Sequence, residues 1–129
     1  VAIVREYDRT LPRIPAYGSE LNEVWTNLLD NAIDAIVSGG GTGTISISTA
    51  RQGDAALVAI VDDGPGITPE VLPRIWEPFF TTKDVGEGSG LGLDAVRRIV
   101  TTRHHGDVHV ASRPGQTRFD VRLPLNVTA

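Results

Sequence analysis

Two carboxylates follow directly on an apolar run, at a point where a buried strand would meet a ligand. Residues 55–61 are apolar, and Asp62 and Asp63 then lead into a Gly-Pro-Gly turn at residues 64–66. Carboxylate oxygens accept hydrogen bonds, and glycines let a ligand lie against the main chain, so this stretch is suited to the exocyclic amine of adenine. The same residue types crowd ordinary strand-end turns, which is the alternative interpretation.

A second polar group lies on one face of a predicted helix. Glu23, Asn27, Asn31 and Asp34 recur at steps of four, four and three residues. Asparagine is unfavourable inside a helix unless its amide is used, and amide oxygens suit a hard cation while amide hydrogens suit phosphate. A solvated polar face remains the alternative.

The third candidate is a glycine-rich loop, residues 86–92, which runs straight into a predicted helix. Unpaired amides at a helix start favour an anion, and flanking glycines let phosphate approach. The loop fits neither a Walker loop nor the G-x-G-x-x-G pattern. A flexible linker is the alternative interpretation of the loop. Lys83, the only lysine, could reach a phosphate as a point charge, and the alternative is an ordinary lysine that faces solvent.

Composition narrows the class of protein. The chain has 129 residues, of which 40% are hydrophobic and 22% charged, and it has no cysteine. Its net charge of -4 argues against a nucleic-acid surface and makes a divalent cation a natural partner of any bound polyphosphate. Because the chain starts at Val1 and contains no methionine, we expect a piece of a longer protein.

The elements that must position these groups alternate between strands and helices. Hairpins predict a mostly antiparallel sheet, and amphipathic helices predict a layer on one face. We therefore predict an α+β fold: a two-layer α/β sandwich, with a mixed sheet of about five strands and three helices, forming one domain over residues 1–129. The predicted strands are 1–8, 44–50, 55–61, 107–112 and 117–123, and the predicted helices are 19–37, a two-turn helix from Thr68, and 93–103. Residues 38–43 are predicted to be a flexible link.

Four motifs in this order resemble one family. Residues 27–32 resemble the N box of the sensor histidine kinase catalytic and ATP-binding domain, and residues 62–66 resemble its G1 box. Residues 77–80 and 88–93 are similar to its F and G2 boxes. This family (HATPase_c) belongs to the GHKL superfamily, whose Bergerat fold agrees with the predicted sandwich.

The resemblance implies ATP and Mg²⁺ as cofactors. Asp62 would accept from the adenine amine, Asn31 would ligate the metal, and Asn27, Asn31 and Lys83 would take part in catalysis. The implied nucleotide-binding set is Asn27, Asn31, Asp62, Gly64, Gly66, Ile67, Phe80, Lys83, Gly88, Ser89, Gly90, Leu91, Gly92, Leu93 and Thr117.

One position separates branches of the superfamily. Hydrolysing members carry a glutamate one helical turn before the metal-binding asparagine, and this chain has Asn27 there. An amide cannot take a proton at neutral pH, and Glu23 lies a further turn away, about 6 Å along the axis. The resemblance therefore implies phosphoryl transfer to a partner, with slow hydrolysis.

The implied partners are ATP, a histidine on a separate dimerisation domain of the same protein, and a downstream response regulator. No nucleic acid and no direct membrane contact are expected, and the domain is expected in the cytoplasm, whether or not the parent is membrane-anchored. For His104, His105 and His109 we favour a role at a helix end and in the following strand over a metal site.

Two alternatives remain open. A GHKL ATPase or a serine kinase of the anti-sigma type would hydrolyse ATP or phosphorylate serine. A degenerate module would have lost catalysis and would serve in binding or regulation.

Overall fold

The computed structural model describes residues 1–8, 18–77 and 92–125, and its centre is a five-stranded sheet in the order β1-β2-β3-β5-β4. Only β1 and β2 are parallel, and every other neighbouring pair is antiparallel. The predicted mixed and mostly antiparallel sheet is confirmed. The strands are β1 (Ala2–Glu6), β2 (Thr44–Gln52), β3 (Ala55–Asp62), β4 (Asp107–Arg113) and β5 (Gln116–Pro124).

Two α-helices pack on one face of this sheet. α1 (Gly18–Ser38) lies between β1 and β2 in the chain, and such a crossover returns the chain so that the two strands run parallel. α2 (Leu93–Arg98) continues without a break into a π-helical turn, Ile99–Arg103. The predicted helices at residues 19–37 and 93–103 therefore match the structure closely.

The third predicted helix is wrong. From Thr68 the chain makes a turn, in which the Thr68 carbonyl accepts from Val71 N at 3.1 Å and from Leu72 N at 2.9 Å, and a single 3₁₀ turn follows at Leu72–Arg74. Pro73 explains the stop, because its ring would clash with the carbonyl four residues earlier and it has no N–H to donate. The described residues thus contain two α-helices.

The core lies between the helices and the inner face of the sheet. Removing a large aliphatic side chain from water contributes about 1.5–3 kcal/mol, and this packing holds the strand ends in fixed positions. The largest fully buried side chains are Leu28, Ile36, Ile45, Val24, Val96, Val100 and Val121. Within the described residues, no helix is both long enough and apolar enough to cross a membrane.

Candidate functional site

Asp62 ends β3 with its side chain buried, at 4% exposure. Its Oδ1 accepts a hydrogen bond from Gly64 N at 3.0 Å, and in the described part of the chain no cationic side chain pairs with it. Burial raises the pKa of the Asp62 carboxyl; the Gly64 hydrogen bond opposes that shift, and the Asp63 carboxylate adds to it. The second Asp62 oxygen has no hydrogen-bond partner among the described residues.

Thr117 stands directly opposite Asp62. The two residues are cross-strand partners of β3 and β5, and Thr117 is also 4% exposed. Directly opposed side chains share one face with their Cβ atoms about 5 Å apart. On the other side of Asp62, its β2 partner is the buried Ile45. A carboxylate and a hydroxyl therefore face the same space beside an apolar neighbour.

The turn after Asp62 is closely packed against α1. A Cβ on Gly64 would lie 3.1 Å from both the carbonyl carbon and the Cβ of Ala35. Gly39 and Gly43, in the stretch predicted as a flexible link, approach the same turn, since a Cβ on Gly39 would lie 3.1 Å from Pro65 Cδ. The turn is thus enclosed from the helix side.

The β4–β5 hairpin holds the turn from the other side. Gly66 has a φ of 87°, and a Cβ there would collide with the carbonyl oxygen of Arg113. Gly115 N donates to the Pro65 carbonyl at 3.2 Å. Ile67 N donates to the Ser112 hydroxyl at 2.7 Å. These contacts fix the main chain beside Asp62.

One face of α1 carries a row of side chains that begins beside this turn and continues toward the start of the helix. Asn27, Asn31 and Ala35 are spaced four residues apart, so they lie on one face at steps of about 6 Å along the axis. Because Ala35 touches Gly64, Asn31 lies one turn from the Asp62 turn and Asn27 lies two turns from it. Asn27 is buried, whereas Asn31 is half-buried.

Asn31 offers an amide oxygen of the kind that suits a hard cation such as Mg²⁺. Its side chain makes no hydrogen bond within the described residues, so the oxygen is not committed to the protein. In the described part of the chain, no cluster of three or more His, Asp or Glu side chains is placed to hold a metal. Mg²⁺ commonly takes one or two protein ligands together with phosphates and waters, which this donor set fits.

The predicted phosphate end is described only where α2 begins. Gly92 caps α2, and its carbonyl accepts from Ala95 N at 3.1 Å. Leu93 packs against the core, and Asp94 lies in the first helical turn. The other predicted residues of this region, Phe80, Lys83, Gly88, Ser89, Gly90 and Leu91, lie outside the described residues.

Trp76 anchors the chain shortly before that region. Its ring meets the Phe119 ring edge to face, with centroids 6.2 Å apart, and Arg97 lies over it at 5.6 Å. Such contacts contribute about 0.5–1.5 kcal/mol each beyond burial. Residue 77 is therefore held near α2 and β5.

The histidines occupy a helix end and a strand. His104 follows the π-helical turn and is buried, with Nδ1 2.9 Å from the Ile99 carbonyl oxygen. His105 is exposed, and His109 lies on β4 with Nε2 3.3 Å from Asp107 Oδ1. This placement agrees with the predicted helix-end role.

Ser112 is a site residue that the motifs do not identify. Besides accepting from Ile67 N, its hydroxyl lies 2.9 Å from the Thr117 hydroxyl. Only the alternation along β4 hinted at it, because the register that turns Val108 and Val110 inward also turns Ser112 inward. A serine in a strand gives no other sign of such a role.

Comparisons with known proteins point to one family. Residues 17–127 match the model of the histidine kinase-, DNA gyrase B- and HSP90-like ATPase family (HATPase_c). The chain is 42% identical over 120 residues to the sensor histidine kinase ZraS of Escherichia coli K12, covering 92% of this chain and 24% of ZraS. The chain thus spans about a quarter of the length of this curated relative.

Solved structures of histidine kinases are similar in fold to this chain. The nucleotide-free catalytic domain of histidine kinase ThkA superposes with a TM-score of 0.82 at 31% identity, over 96% of this chain and 78% of that one. ThkA in complex with the response regulator TrrA gives 0.76 at 28% identity, over 96% and 34% of the two chains. Full-length ShkA in complex with AMPPNP gives 0.78 at 27%, over 99% and 26%.

The fold, the arrangement around Asp62 and these matches lead to one assignment. The chain belongs to the histidine kinase-like ATPase family and is a histidine kinase ATPase domain of the two-component type.

Proposed function

We propose that this chain binds Mg-ATP beside Asp62 and donates the γ-phosphoryl group to a histidine on a separate dimerisation domain of its parent protein. One observation carries the proposal. Asp62 is a buried carboxylate that the described residues supply with one backbone donor and no cation, directly opposite the hydroxyl of Thr117. A domain that needed this position only for folding would be more stable with an uncharged residue.

Adenine supplies what Asp62 lacks. Its exocyclic amine is a donor for the second carboxylate oxygen, and the neighbouring ring nitrogens are acceptors for a hydroxyl such as that of Thr117. The fixed main chain from Gly64 to Ile67 gives the base a flat edge to lie against. The AMPPNP complex of ShkA supports an adenine nucleotide as the ligand of this fold.

The asparagines on one face of α1, Asn27 and Asn31, would then lie beside the phosphates. Asn31 would donate its amide oxygen to Mg²⁺, which neutralises charge on the phosphates, and Asn27 would lie beside it. The backbone amides of residues 89–93 (Ser89, Gly90, Leu91, Gly92 and Leu93) would bind the phosphates, and Lys83 would reach them as a point charge. We propose that Phe80 and Gly88 also belong to the nucleotide site. In phosphoryl transfer a site of this kind contributes positioning and charge neutralisation.

Transfer is favoured over hydrolysis by the residues of α1. The buried Asn27 occupies the turn before Asn31 and cannot act as a base, and Glu23 is exposed a further turn back. Water is therefore not activated from this row. In transfer, the histidine nitrogen forms the new bond to phosphorus as the bond from phosphorus to the β,γ-bridging oxygen breaks, and ADP leaves.

The parent protein would supply the acceptor and the signalling partners. By analogy with ThkA bound to TrrA, we propose that a response regulator receives the phosphoryl group downstream. We propose that residues 1–129 act as one ATP-binding domain in the cytoplasm, without direct contact to the membrane or to nucleic acid.

Calorimetry and phosphate analysis test the proposal together. We expect the purified chain to bind one ATP about tenfold more tightly with Mg²⁺ than without it and to release almost no inorganic phosphate. In the full-length parent, label from the γ-phosphate should appear as acid-labile phosphohistidine. Acid-stable phosphoserine, or rapid phosphate release by the chain alone, would favour the other GHKL activities, and absence of ATP binding would leave a degenerate module.

A further inference from the structure

We infer that Ser112 is a positioning residue for base recognition: its hydroxyl donates to Thr117 and so turns the Thr117 hydroxyl into a hydrogen-bond donor toward the base. The inference rests on the proposed function, because it concerns the same nucleotide. It adds a residue on β4 that the motifs do not include, and it assigns a direction to a hydrogen bond between two hydroxyls.

The contacts of Ser112 limit where its proton points. One lone pair already accepts from Ile67 N at 2.7 Å. Its hydrogen has two oxygen acceptors within reach, the Thr117 hydroxyl at 2.9 Å and the Gln116 carbonyl at 3.2 Å. Hydroxyl hydrogen bonds are most favourable near 2.7–2.8 Å. Of the two acceptors the Thr117 hydroxyl is the nearer, and we assign the Ser112 hydrogen to that contact rather than to the Gln116 carbonyl.

The consequence falls on Thr117. A hydroxyl has one hydrogen, and when Thr117 accepts from Ser112 its own hydrogen is available for another acceptor. Within the described residues Ser112 is the only hydrogen-bond partner of the Thr117 hydroxyl, and the residue is buried opposite Asp62. Thr117 therefore presents a donor beside a carboxylate acceptor.

That pairing matches one edge of adenine. The amine at C6 donates to Asp62, and the ring nitrogens on either side of that amine, N1 and N7, are both acceptors for a hydroxyl donor. Without the Ser112 hydroxyl, the Thr117 hydrogen could turn to the Asp62 carboxylate opposite it instead of to the base, and Ile67 N would lose its acceptor as well. Ser112 thus contacts both the main chain at Ile67 and the Thr117 hydroxyl, and it sets which way the Thr117 hydrogen points.

Analogues of ATP with C–H in place of N1 or N7 isolate this effect. In the unchanged protein we expect one of the two analogues to bind about tenfold more weakly than ATP, by the loss of one hydrogen bond. In Ser112→Ala the same analogue and ATP should bind within about twofold of each other. Ser46→Ala is the matched control, because Ser46 is a half-buried serine on β2 whose strand neighbours Ile45 and Ile47 face the core.

The inference is overturned if neither analogue discriminates in the unchanged protein, or if the discrimination persists in Ser112→Ala. A merely structural role for Ser112 would weaken ATP and the analogue by the same factor and would leave their ratio unchanged. If Ser112→Ala does not fold, Ser112→Cys takes its place, because cysteine is similar in size but donates only weakly. This variant must then bind ATP and the analogue with similar affinities. Failure of the unchanged protein to bind ATP would instead refute the proposed function.

Discussion

Asp62 and Asp107 lie on strands of the same sheet, yet the protein surrounds their charges in opposite ways. The Asp107 side chain is 43% exposed and has a guanidinium and an imidazole beside it, with Arg122 Nη1 at 3.8 Å and His109 Nε2 at 3.3 Å. Asp62 is 4% exposed, and the described residues give it a single backbone amide. An exposed pair of this kind contributes at most about 1 kcal/mol, whereas a buried charge lacking a cation opposes folding.

The difference supports the ligand-binding role proposed for Asp62. Asp107 has a guanidinium beside it and a side chain that reaches solvent, although its Oδ1 makes no hydrogen bond within the described residues. The sheet leaves Asp62 with a raised pKa and an oxygen that the described residues do not use. Perturbed carboxylates of this kind concentrate at functional sites.

Replacing each carboxylate with an amide should give the largest difference in ATP affinity between the two positions. In Asp62→Asn the amide oxygen can keep the Gly64 bond, which turns the amide hydrogens toward the adenine amine, donor against donor. We expect ATP affinity to fall about 100-fold or more. Asp107→Asn, the matched control, should bind ATP as the unchanged protein does. Calorimetry measures both, and equal affinities in the two variants would contradict the role of Asp62.

The pH dependence of the melting temperature gives a second test with Asp62→Asn. Because burial raises the Asp62 pKa above its ordinary 3.8, the folded protein holds this proton more tightly than the unfolded chain does. That contribution to stability is fully present below the ordinary pKa and is lost as the pH rises through the raised value. Asp62→Asn should therefore melt at a higher temperature than the unchanged protein at pH 7, with the gap narrowing toward pH 4. A constant gap across that range would count against the raised pKa.

Gly66 tests how firmly the turn beside Asp62 is held. Gly66→Ala combines a φ of 87° with a Cβ that meets the Arg113 carbonyl, and we expect a loss of about 3 kcal/mol in the free energy of unfolding. Gly115→Ala is the control, because Gly115 has a φ of 89° and open space around its Cβ position. It should lose only about 1 kcal/mol. Urea denaturation compares them, and similar losses would show that packing against Arg113 is unimportant.

A substitution of Asn31 tests the proposed magnesium ligand. Asn31→Ala should lower ATP affinity about tenfold in Mg²⁺ and remove most of the response to Mg²⁺, with little change in melting temperature. Asn22→Ala is the control, because Asn22 is an exposed asparagine of the same helix, nine residues earlier. An unchanged magnesium response in Asn31→Ala would exclude it as the ligand.

His105 offers the smallest expected effect, away from the site. It is the one described non-glycine residue with a positive φ, at 58°. His105→Gly should stabilise the domain by about 1 kcal/mol, because glycine adopts this conformation without the steric cost. ATP affinity should not change. Chemical denaturation and calorimetry check the two halves of this prediction, and a destabilised variant would show that the histidine ring contributes more than its backbone costs.

The sequence predicted elements better than contacts. Helix α1 and the four hairpin strands match their predicted ranges within one or two residues, because their apolar periodicity is long and regular. The helix from Thr68 failed because a promising start was outweighed by Pro73. The position of Asp62 at a strand end was predictable, since an apolar run stops there.

Contacts between distant segments were not predictable. The approach of Gly66 to Arg113 depends on the β4–β5 hairpin folding against the turn beside Asp62. The same holds for Ser112, which resembles any other serine in a strand until its distances to Ile67 and Thr117 are known. Local periodicity carries no information on such pairings.

The most direct test of the central claim compares ATP with inosine triphosphate, which carries a carbonyl in place of the adenine amine, in the unchanged chain and in Asp62→Asn. If Asp62 accepts from that amine, the unchanged chain should prefer ATP, and the ratio of the two affinities should move about 100-fold or more toward inosine triphosphate in the variant. An identical ratio in both proteins would show that Asp62 does not contact the C6 position of the base, and would contradict the account.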